Sequence, residues 1–449
     1  MQPAVKSFSS LVLLLIVGLL SPLMPQTVLA AETKVIAKEQ QDEDLWEEDL
    51  WQDESANEAS AWTGFIEYGY GDRLSSDPLF SKQQTLNEAR VHLQKDWSFN
   101  TSFVDFAGDL WYDHVLNEMD ADIRELNLNF SAFGNTDFKM GRQIITWGTG
   151  DLLFLNDLFA KDWNAYFNGR DDAYLKKPTN AVRVSSHFDT LNLDLVWTPK
   201  FTPDDYIDGE RFAFFSPLAG ENLGGADLIN PSRPKKEFSN GEFSLRLHKN
   251  YQGYEIALYG YKGFAKQPLG LSENFRPTFH ERNAYGASLR GNLAGGVFNL
   301  EWVRENATED QAGTDPLVTN SLSKWLVGFE SEWLSKLTVS FQYYVEKMHH
   351  HSELVSNSFS PEFEPSEYRE WLTNRIVYSA MQDKLRINLF SFYSLTDEDY
   401  FLRWNISYRQ NDQWSYTFGV NQIDGDKADT FFAQFEKASN AYFRVRYSF

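Results

Sequence analysis

The chain has 449 residues, a formal net charge of -23 at pH 7, 23% charged and 16% aromatic residues, and no cysteine. The lack of cysteine excludes disulfides and thiolate metal sites, and the negative charge argues against a nucleic-acid partner. Frequent aromatic residues coexist with a hydrophilic average, which is expected if apolar and polar residues alternate along strands.

Residues 1–30 have the pattern of a secretory signal. Lys6 precedes an apolar run from Leu11 to Leu20, and Val28 and Ala30 lie just ahead of the predicted cleavage site. The run is too short to span a bilayer comfortably, and no later segment approaches the roughly 18 apolar residues of a membrane helix. We therefore predict cleavage near Ala30, export of the chain and, if it enters a membrane, crossing by strands.

Residues 31–61 form an acidic segment that we predict to be disordered. An Asp-Leu-Trp triplet occurs at 44–46 and again at 49–51. Two interpretations remain open. The segment is either a solvated tail, or Trp46 and Trp51 mark an adhesive motif for a periplasmic partner or for the mouth of a pore.

From residue 62 onward, apolar and polar residues alternate in segments of about ten residues, the length of a tilted transmembrane strand. The predicted strands are 62–71, 85–95, 99–113, 122–132, 136–147, 181–187, 190–199, 239–249, 252–263, 282–291, 295–305, 323–332, 336–347, 370–380, 384–394, 400–410, 413–422 and 440–449. These segments number eighteen.

The connections alternate in length. Short connections fall near 96, 134, 188, 250, 293, 334, 382 and 411, and most of the others are long. Tight turns on one side and long external loops on the other are typical of outer-membrane barrels, in which an even strand number places both ends in the periplasm. We assign residues 431–435 to the last external loop, because a nineteenth strand would break this parity.

The alternation gives each strand one apolar and one polar face. In the last strand, Phe443 and Val445 share a face with Tyr447 and Phe449, whereas Arg444 and Arg446 lie on the other. A closed barrel pairs every backbone group, presents apolar residues to lipid and keeps polar residues inside. We therefore predict an all-β fold for residues 62–449, a transmembrane antiparallel up-and-down barrel of about 18 strands in the bacterial outer membrane.

The residues predicted to line the lumen carry charge. The acidic residues, on strands two to four, are Glu88, Asp105, Asp109, Asp113 and Glu125. The basic residues of strands fifteen to eighteen are Arg386, Arg403, Arg409, Arg444 and Arg446, and Arg142 lies elsewhere. Opposed acidic and basic arcs would create a transverse field that orients dipolar solutes; the alternative is that these charges only solvate the wall or pair with neighbours.

The connection 149–180 is unusually apolar for an external loop. Its apolar and aromatic residues are interleaved with Asp151, Asp157, Lys161 and Asp162. We expect it to fold into the barrel as a constriction, with a short helix near 152–161; a collapsed external lid is the alternative. The next loop, 201–237, is rich in glycine and proline and is expected to cap the opening without regular structure.

The segment Gly141 to Gly148 reads Gly-Arg-Gln, three residues, Trp-Gly. It resembles a motif of outer-membrane porin-like barrels of the alginate-export and uncharacterised porin-like type. The resemblance implies a monomeric, roughly eighteen-stranded passive channel. A channel for polyanions needs a dominantly basic lumen, whereas this chain is acidic, so export of a polyuronate is not predicted.

Other chemistry is weakly indicated. His349, His350 and His351 are adjacent, but consecutive residues of an extended chain point to opposite sides and make a poor metal site. No Gly-x-Ser-x-Gly nucleophile motif, phosphate-binding loop, dinucleotide fingerprint or calcium loop occurs in the sequence. We predict neither an enzyme nor a metal or other cofactor.

The primary hypothesis is a porin for small hydrophilic solutes that contacts outer-membrane lipid and engages the barrel assembly machinery through Phe449. One alternative is a structural barrel that holds a periplasmic or redox partner. A less favoured alternative is an outer-membrane hydrolase with its site above the membrane.

Overall fold

The structure, a computed structural model, describes residues 61–449, so the predicted signal and nearly all of the acidic segment lie outside the described residues. Eighteen strands form one antiparallel sheet. The sheet closes because the first strand pairs with both the second and the last. The predicted 18-strand antiparallel barrel is confirmed. Within residues 61–449, no helix has the length and apolarity needed to cross a membrane.

The barrel strands in chain order are β1 (Thr63–Arg73), β2 (Gln84–Phe99), β3 (Ser102–Asp113), β4 (Glu118–Ala132), β5 (Thr136–Gln143), β6 (Thr179–His187), β7 (Asn192–Thr198), β8 (Glu242–Tyr251), β9 (Tyr254–Phe264), β10 (Glu281–Leu293), β11 (Gly296–Ala307), β12 (Leu322–Leu334), β13 (Leu337–Met348), β14 (Tyr368–Ala380), β15 (Leu385–Ser394), β16 (Tyr400–Arg409), β17 (Trp414–Asp424) and β18 (Asn440–Ser448). The connections contain two short α-helices, α1 (Trp163–Asn168) and α2 (His351–Asn357).

Tight turns lie on one rim of the barrel, which we call the short-turn rim, and extended connections lie on the other, the long-loop rim. The two-residue turns at 252–253 and 294–295 have positive φ at both positions, 52° and 83° in the first and 52° and 80° in the second. This geometry matches the twist of antiparallel hairpins. The last connection, which contains residues 431–435, carries a 3-10 helix at Ala433–Ala438, as expected of a loop rather than a strand.

Three predicted strand bounds were wrong by four residues: the ends of β2 and β5, and the start of β4, which lies at Glu118 rather than at residue 122. β2 continues to Phe99, so the first short turn lies at Asn100 rather than near 96. Phe99 is exposed on the outward face and extends the alternation. β5 stops at Gln143 rather than 147, just after Gly141 adopts a φ of 129° and the chain turns into the lumen.

One detail of each loop prediction needs correction: the position of the helix in 149–180 and the lack of regular structure in 201–237. Residues 152–161 are not helical, and the helix begins at Trp163 because the Asp162 side chain caps it. The connection 201–237 contains regular structure, a hairpin of Phe214–Ser216 with Glu221–Leu223. A second small hairpin, Gly270–Leu271 with Pro277–Thr278, lies in the connection after β9.

The barrel wall has the expected two faces. In β13, Tyr343 is exposed on the outside while Tyr344 is buried on the inside. In β18, Phe443 is exposed while Tyr442 and Arg446 are buried. Side chains of successive residues point to opposite faces of a strand, so this pattern places an apolar surface around the barrel and polar groups within it.

Candidate functional site

The charged residues predicted to line the lumen lie on neighbouring parts of the ring. The acidic arc consists of Glu88, Asp105, Asp109, Asp113 and Glu125 on β2–β4, and the basic arc of Arg386, Arg403, Arg409, Arg444 and Arg446 on β15–β18. β18 pairs with β1, which pairs with β2. The expectation that the arcs oppose each other was wrong, because ring closure places the last strands beside the first.

Two residues of the acidic arc, Glu88 and Asp109, form close ion pairs with basic side chains. Glu88 lies 2.7 Å from the Arg90 guanidinium. Asp109 lies 3.3 Å from Arg90 and 2.9 Å from His92 Nδ1. These neighbours on the same strands offset much of the negative charge, so this part of the wall is an ion-pair network rather than a uniformly acidic face.

The remaining acidic residues also have partners. The carboxylates of Asp105 and Glu125 each lie 3.7 Å from Lys139 Nζ, and their side chains are 17% and 28% exposed. Asp113 contacts the guanidinium of Arg211, which comes from the long connection after β7. The Asp105 and Glu125 pairs are therefore accessible to water, whereas Asp113 is covered by a loop.

In the basic arc, two arginines share a carboxylate with the first strand. Arg446 Nε donates to Glu67 at 2.8 Å, and Arg444 lies 3.4 Å from the same group. Arg386 pairs in register with Ser379 and Ser407 on the inner wall. Arg409 is exposed at the short-turn rim.

Arg142 differs from its expected position. It lies opposite Leu126 and Asn180, which are exposed on the outward face. Its guanidinium donates to Asp122 at 2.6 Å. The register therefore places Arg142 on the outer side of the wall, near the long-loop rim, rather than in the lumen.

Residues 144–178, which we call the inward loop, pack apolar side chains against the inner wall. Leu155, Tyr166 and Phe167 are buried in one cluster with inward-facing residues of β10–β17. The Tyr166 and Phe167 rings lie 5.5 and 5.3 Å from the Phe401 ring. These contacts place the loop inside the barrel rather than over its opening.

Three of the residues predicted for the constriction form short-range pairs. Asp151 accepts a hydrogen bond from Arg375 on the wall at 2.7 Å. Asp157 lies 3.0 Å from Lys161, and both are buried. Asp157 also accepts from the Thr146 hydroxyl at 2.8 Å. These side chains therefore fix the shape of the loop and its contact with the wall.

Asp162, the fourth residue, caps helix α1. Its carboxylate accepts from the Ala165 backbone N–H at 3.0 Å, and Gly169 ends the helix with a φ of 88°. Burial raises the pKa of Asp162, although Arg170 at 3.5 Å opposes this shift. The local sequence thus sets both ends of the helix.

The inward loop is joined to the acidic arc by a cation. Arg170 donates to Glu88 at 2.5 Å and lies 3.6 Å from Asp113. The Tyr174 hydroxyl donates to Asp109 at 3.0 Å. The arc therefore binds the loop as well as its own neighbours.

The same loop is joined to the basic arc by two carboxylates. Asp171 lies 3.0 Å from both Arg444 and Arg446, and Asp172 lies 2.7 Å from Arg403. Burial would raise the pKa of Asp171 and of Asp172, but these guanidinium groups outweigh it and hold both pKa values below their usual range. Residues of both the acidic arc and the basic arc therefore bind the inward loop.

The base of the loop is held by a buried glutamate on the wall. Glu301 accepts hydrogen bonds from the backbone N–H groups of Thr149 and Gly150, the latter at 2.7 Å, and from Asn156 at 2.8 Å. Gly148, with a φ of 97°, lies beside this carboxylate. The loop is therefore anchored where it leaves the wall.

The Gly-Arg-Gln and Trp-Gly segment forms this departure point. Gln143 is buried and donates to backbone carbonyls of Gly141 and Ala181. Trp147 packs edge-on against Phe159 at 5.0 Å and near Tyr259 at 6.2 Å. The motif thus redirects the chain from β5 into the lumen.

Sequence reasoning missed several of the residues that hold the loop. Arg170, Asp171 and Asp172 form a charged triplet within an apolar connection, and that contrast was a usable signal. Glu301 and Arg211 gave no local signal, because their partners are distant in the chain. Glu301 contacts residues about 150 positions earlier.

The barrel is similar to solved outer-membrane proteins. It matches Acinetobacter baumannii OccAB3 with a TM-score of 0.52 and 12% identity, covering 87% of this chain and 99% of that one. It matches Pseudomonas aeruginosa OccD3 (OpdP) with a TM-score of 0.50 and 13% identity, covering 88% and 92%. It matches a BenF-like porin from Pseudomonas fluorescens Pf-5 with a TM-score of 0.50 and 11% identity, covering 87% and 98%.

No protein-family model matches the chain, and no curated protein matches it significantly. At identities of 11–13% the structural matches establish the fold alone. The chain therefore shares its closed barrel with Occ proteins and a BenF-like porin.

Proposed function

We propose that the protein is an outer-membrane porin that lets small hydrophilic solutes diffuse passively across the membrane. The observation that carries this proposal is the closed ring, apolar outside and charged inside. Such a surface is stable in lipid because every backbone group is paired around the ring. Barrels of 16–18 strands enclose an aqueous channel unless something fills it, and no catalytic step is part of the proposal.

The inward loop is the proposed selectivity element. It reaches both arcs and the apolar part of the wall, so its position sets the cross-section that a solute meets. The lumen carries paired cations and anions, as at Lys139 with Asp105 and Glu125. Of the properties that the alginate-export resemblance implies, we therefore retain passive conduction. We propose that the transported solutes are small molecules rather than a long polyanion.

Planar-bilayer recording with the refolded protein tests the proposal. Ohmic single-channel steps are expected, and liposomes containing the protein should swell with small sugars, amino acids or organic acids but not with large oligosaccharides. Replacing exposed Arg409 by glutamate should shift ion selectivity toward cations, because it reverses a charge at the short-turn rim. A folded protein without conductance or swelling would contradict the proposal.

A further inference from the structure

The outward face near the long-loop rim carries a row of aromatic side chains on adjacent strands. Trp302 on β11 lies directly opposite Trp325 on β12. On its other side Trp302 is diagonal to Tyr285, which is two residues from its register partner Ala287 on β10. The Tyr285 and Trp302 rings meet edge-on at 5.6 Å, and Tyr285 and Trp325 are exposed. Aromatic belts of this kind lie at the level of lipid headgroups.

Two residues beyond Trp302 and Trp325 along their strands, toward the rim, lies a cluster of basic side chains, in which Arg304 is the register partner of Tyr285. Arg304 on β11 is opposite Ser323 on β12, and Ser323 is opposite Lys347 on β13. The Ser323 hydroxyl contacts Arg304 Nη1 at 3.3 Å and His349 Nε2 at 2.9 Å. Ser323 therefore brings Arg304 and His349 together beside Lys347.

The Arg304 side chain is held in place by hydrogen bonds to neutral groups rather than by an acidic side chain. Its Nε donates to Asn306 Oδ1 at 2.9 Å, and within residues 61–449 no acidic side chain is paired with its guanidinium. The guanidinium therefore has donor groups directed outward that neutral neighbours hold in place.

The other two members have weak or no acidic partners. Lys347 lies 3.5 Å from Glu367, but the two side chains are 31% and 47% exposed, and exposed pairs of this kind contribute little. Burial lowers the pKa of His349, the nearby charges of Arg304 and Lys347 lower it further, and Glu367 opposes the shift. The positive charge of the cluster therefore comes from Arg304 and Lys347, and His349 adds an imidazole beside them.

We propose that Arg304, Lys347 and His349 form a binding site on the outside of the barrel for the phosphate of a lipid in the surrounding leaflet. The site rests on the proposed membrane location, not on conduction. Guanidinium and ammonium groups bind phosphate through charge-assisted hydrogen bonds, and basic residues at the membrane surface attract anionic headgroups. The aromatic row below them would contact the upper acyl chains of the same lipid.

Native mass spectrometry of the detergent-solubilised full chain with diphosphorylated lipid A tests this site. The site variant is Arg304→Gln with Lys347→Gln. The matched control, Lys95→Gln with Lys249→Gln, removes the same charge from the outward face near the short-turn rim, where Lys95 lies opposite Phe106 and Lys249 opposite Ile256. Heat-modifiable gel migration shows whether each variant is folded.

We expect the site variant to bind lipid A about tenfold more weakly or worse, and the control to bind within about twofold of wild type. Equal binding by the site variant, or equal losses in both variants, would overturn the proposal. So would competition by millimolar inorganic phosphate as effective as lipid A, since the site would then recognise free phosphate. The site residues point away from the lumen, so conductance should be unchanged, and a wild-type protein without conductance would contradict only the porin.

Discussion

At the scale of single residues, Asp171 joins the inward loop to two arginines of the basic arc. Its carboxylate receives both Arg444 and Arg446 at 3.0 Å. Removing it leaves two guanidinium groups that are 10–11% exposed with Glu67 as their shared partner. Removing one member of a buried charge network is costly, because the partners stay desolvated.

We therefore expect Asp171→Asn to destabilise the docked loop by about 1–3 kcal/mol. Single-channel recordings should then show larger and noisier current steps than wild type. Asp412→Asn, an exposed change in a short turn, is the control and should leave the current unaltered. Identical recordings from all three proteins would mean that Asp171 does not hold the loop.

The pKa of Asp171 determines how its ion pairs with Arg444 and Arg446 respond to pH. The pKa of Asp171 is lowered in the folded protein, so its contribution is complete above the ordinary pKa of about 3.9 and is lost only as pH falls through the lower folded value. The wild-type current noise should therefore stay constant from about pH 7 to about pH 4.5. If the current noise instead increased between about pH 6 and pH 5, a titratable group other than Asp171 would control docking of the inward loop.

The sequence predicts one half of this interaction. Alternation places Arg444 and Arg446 on the inner face of β18, and the structure agrees. It does not identify Asp171, because the two partners are separated by 273 and 275 residues. Only packing of the loop, which depends on many apolar contacts, brings them together.

At the scale of elements, the strands were predictable because their period of two is strong and turn residues bound them. The helix in the inward loop was misplaced, since its apolar residues continue on both sides of Asp162. Its start depends on one capping hydrogen bond from Ala165 to Asp162. Local polar contacts, rather than hydrophobic periodicity, set short helices of this kind.

The inward loop can be removed without separating its flanking strands, because Gln143 pairs directly with Thr179. Replacing residues 146–176 by a turn of about five residues should raise single-channel conductance several-fold and let larger solutes cause swelling. The reason is that apolar and charged contacts now fill part of the lumen.

Two controls accompany this replacement. Gel migration before and after heating checks that the barrel still folds although part of its apolar inner wall is uncovered. Shortening the 308–321 connection, which contributes no residue to the apolar cluster, should leave the conductance near that of wild type. An unchanged conductance in the folded loop replacement would remove the inward loop as the constriction.

At the scale of the whole molecule, ring closure determines which charges meet. The same seam that joins β1 to β18 also brings Glu67 to Arg444 and Arg446. A reading of the strands in linear order treats the two arcs as distant, whereas the closed ring makes them neighbours. A closed barrel with this strand order already implies that the acidic and basic arcs are neighbours, so the prediction of an opposed transverse field was inconsistent with the predicted fold.

The seam also separates two roles of Phe449. Its backbone N–H and C=O both pair with Gly64 at 2.9 Å, while its side chain is 47% exposed on the outward face. A Phe449→Ala change keeps the backbone pairs, so the purified chain should refold into detergent as well as wild type. Deleting residues 440–449 removes the strand that closes the ring and should prevent folding under the same conditions.

In cells we expect assembly into the outer membrane to depend on the Phe449 side chain, although refolding in detergent does not. If the exposed ring is what the assembly machinery recognises, Phe449→Ala should lower the amount of folded barrel in the outer membrane while refolding in detergent stays at the wild-type level. Phe133→Ala removes an aromatic side chain in a short turn that is more exposed, at 87%, than Phe449, and it should lower neither quantity. The amount is measured by heat-modifiable migration of outer-membrane fractions, and equal amounts for Phe449→Ala and wild type would limit Phe449 to its backbone role in closing the ring.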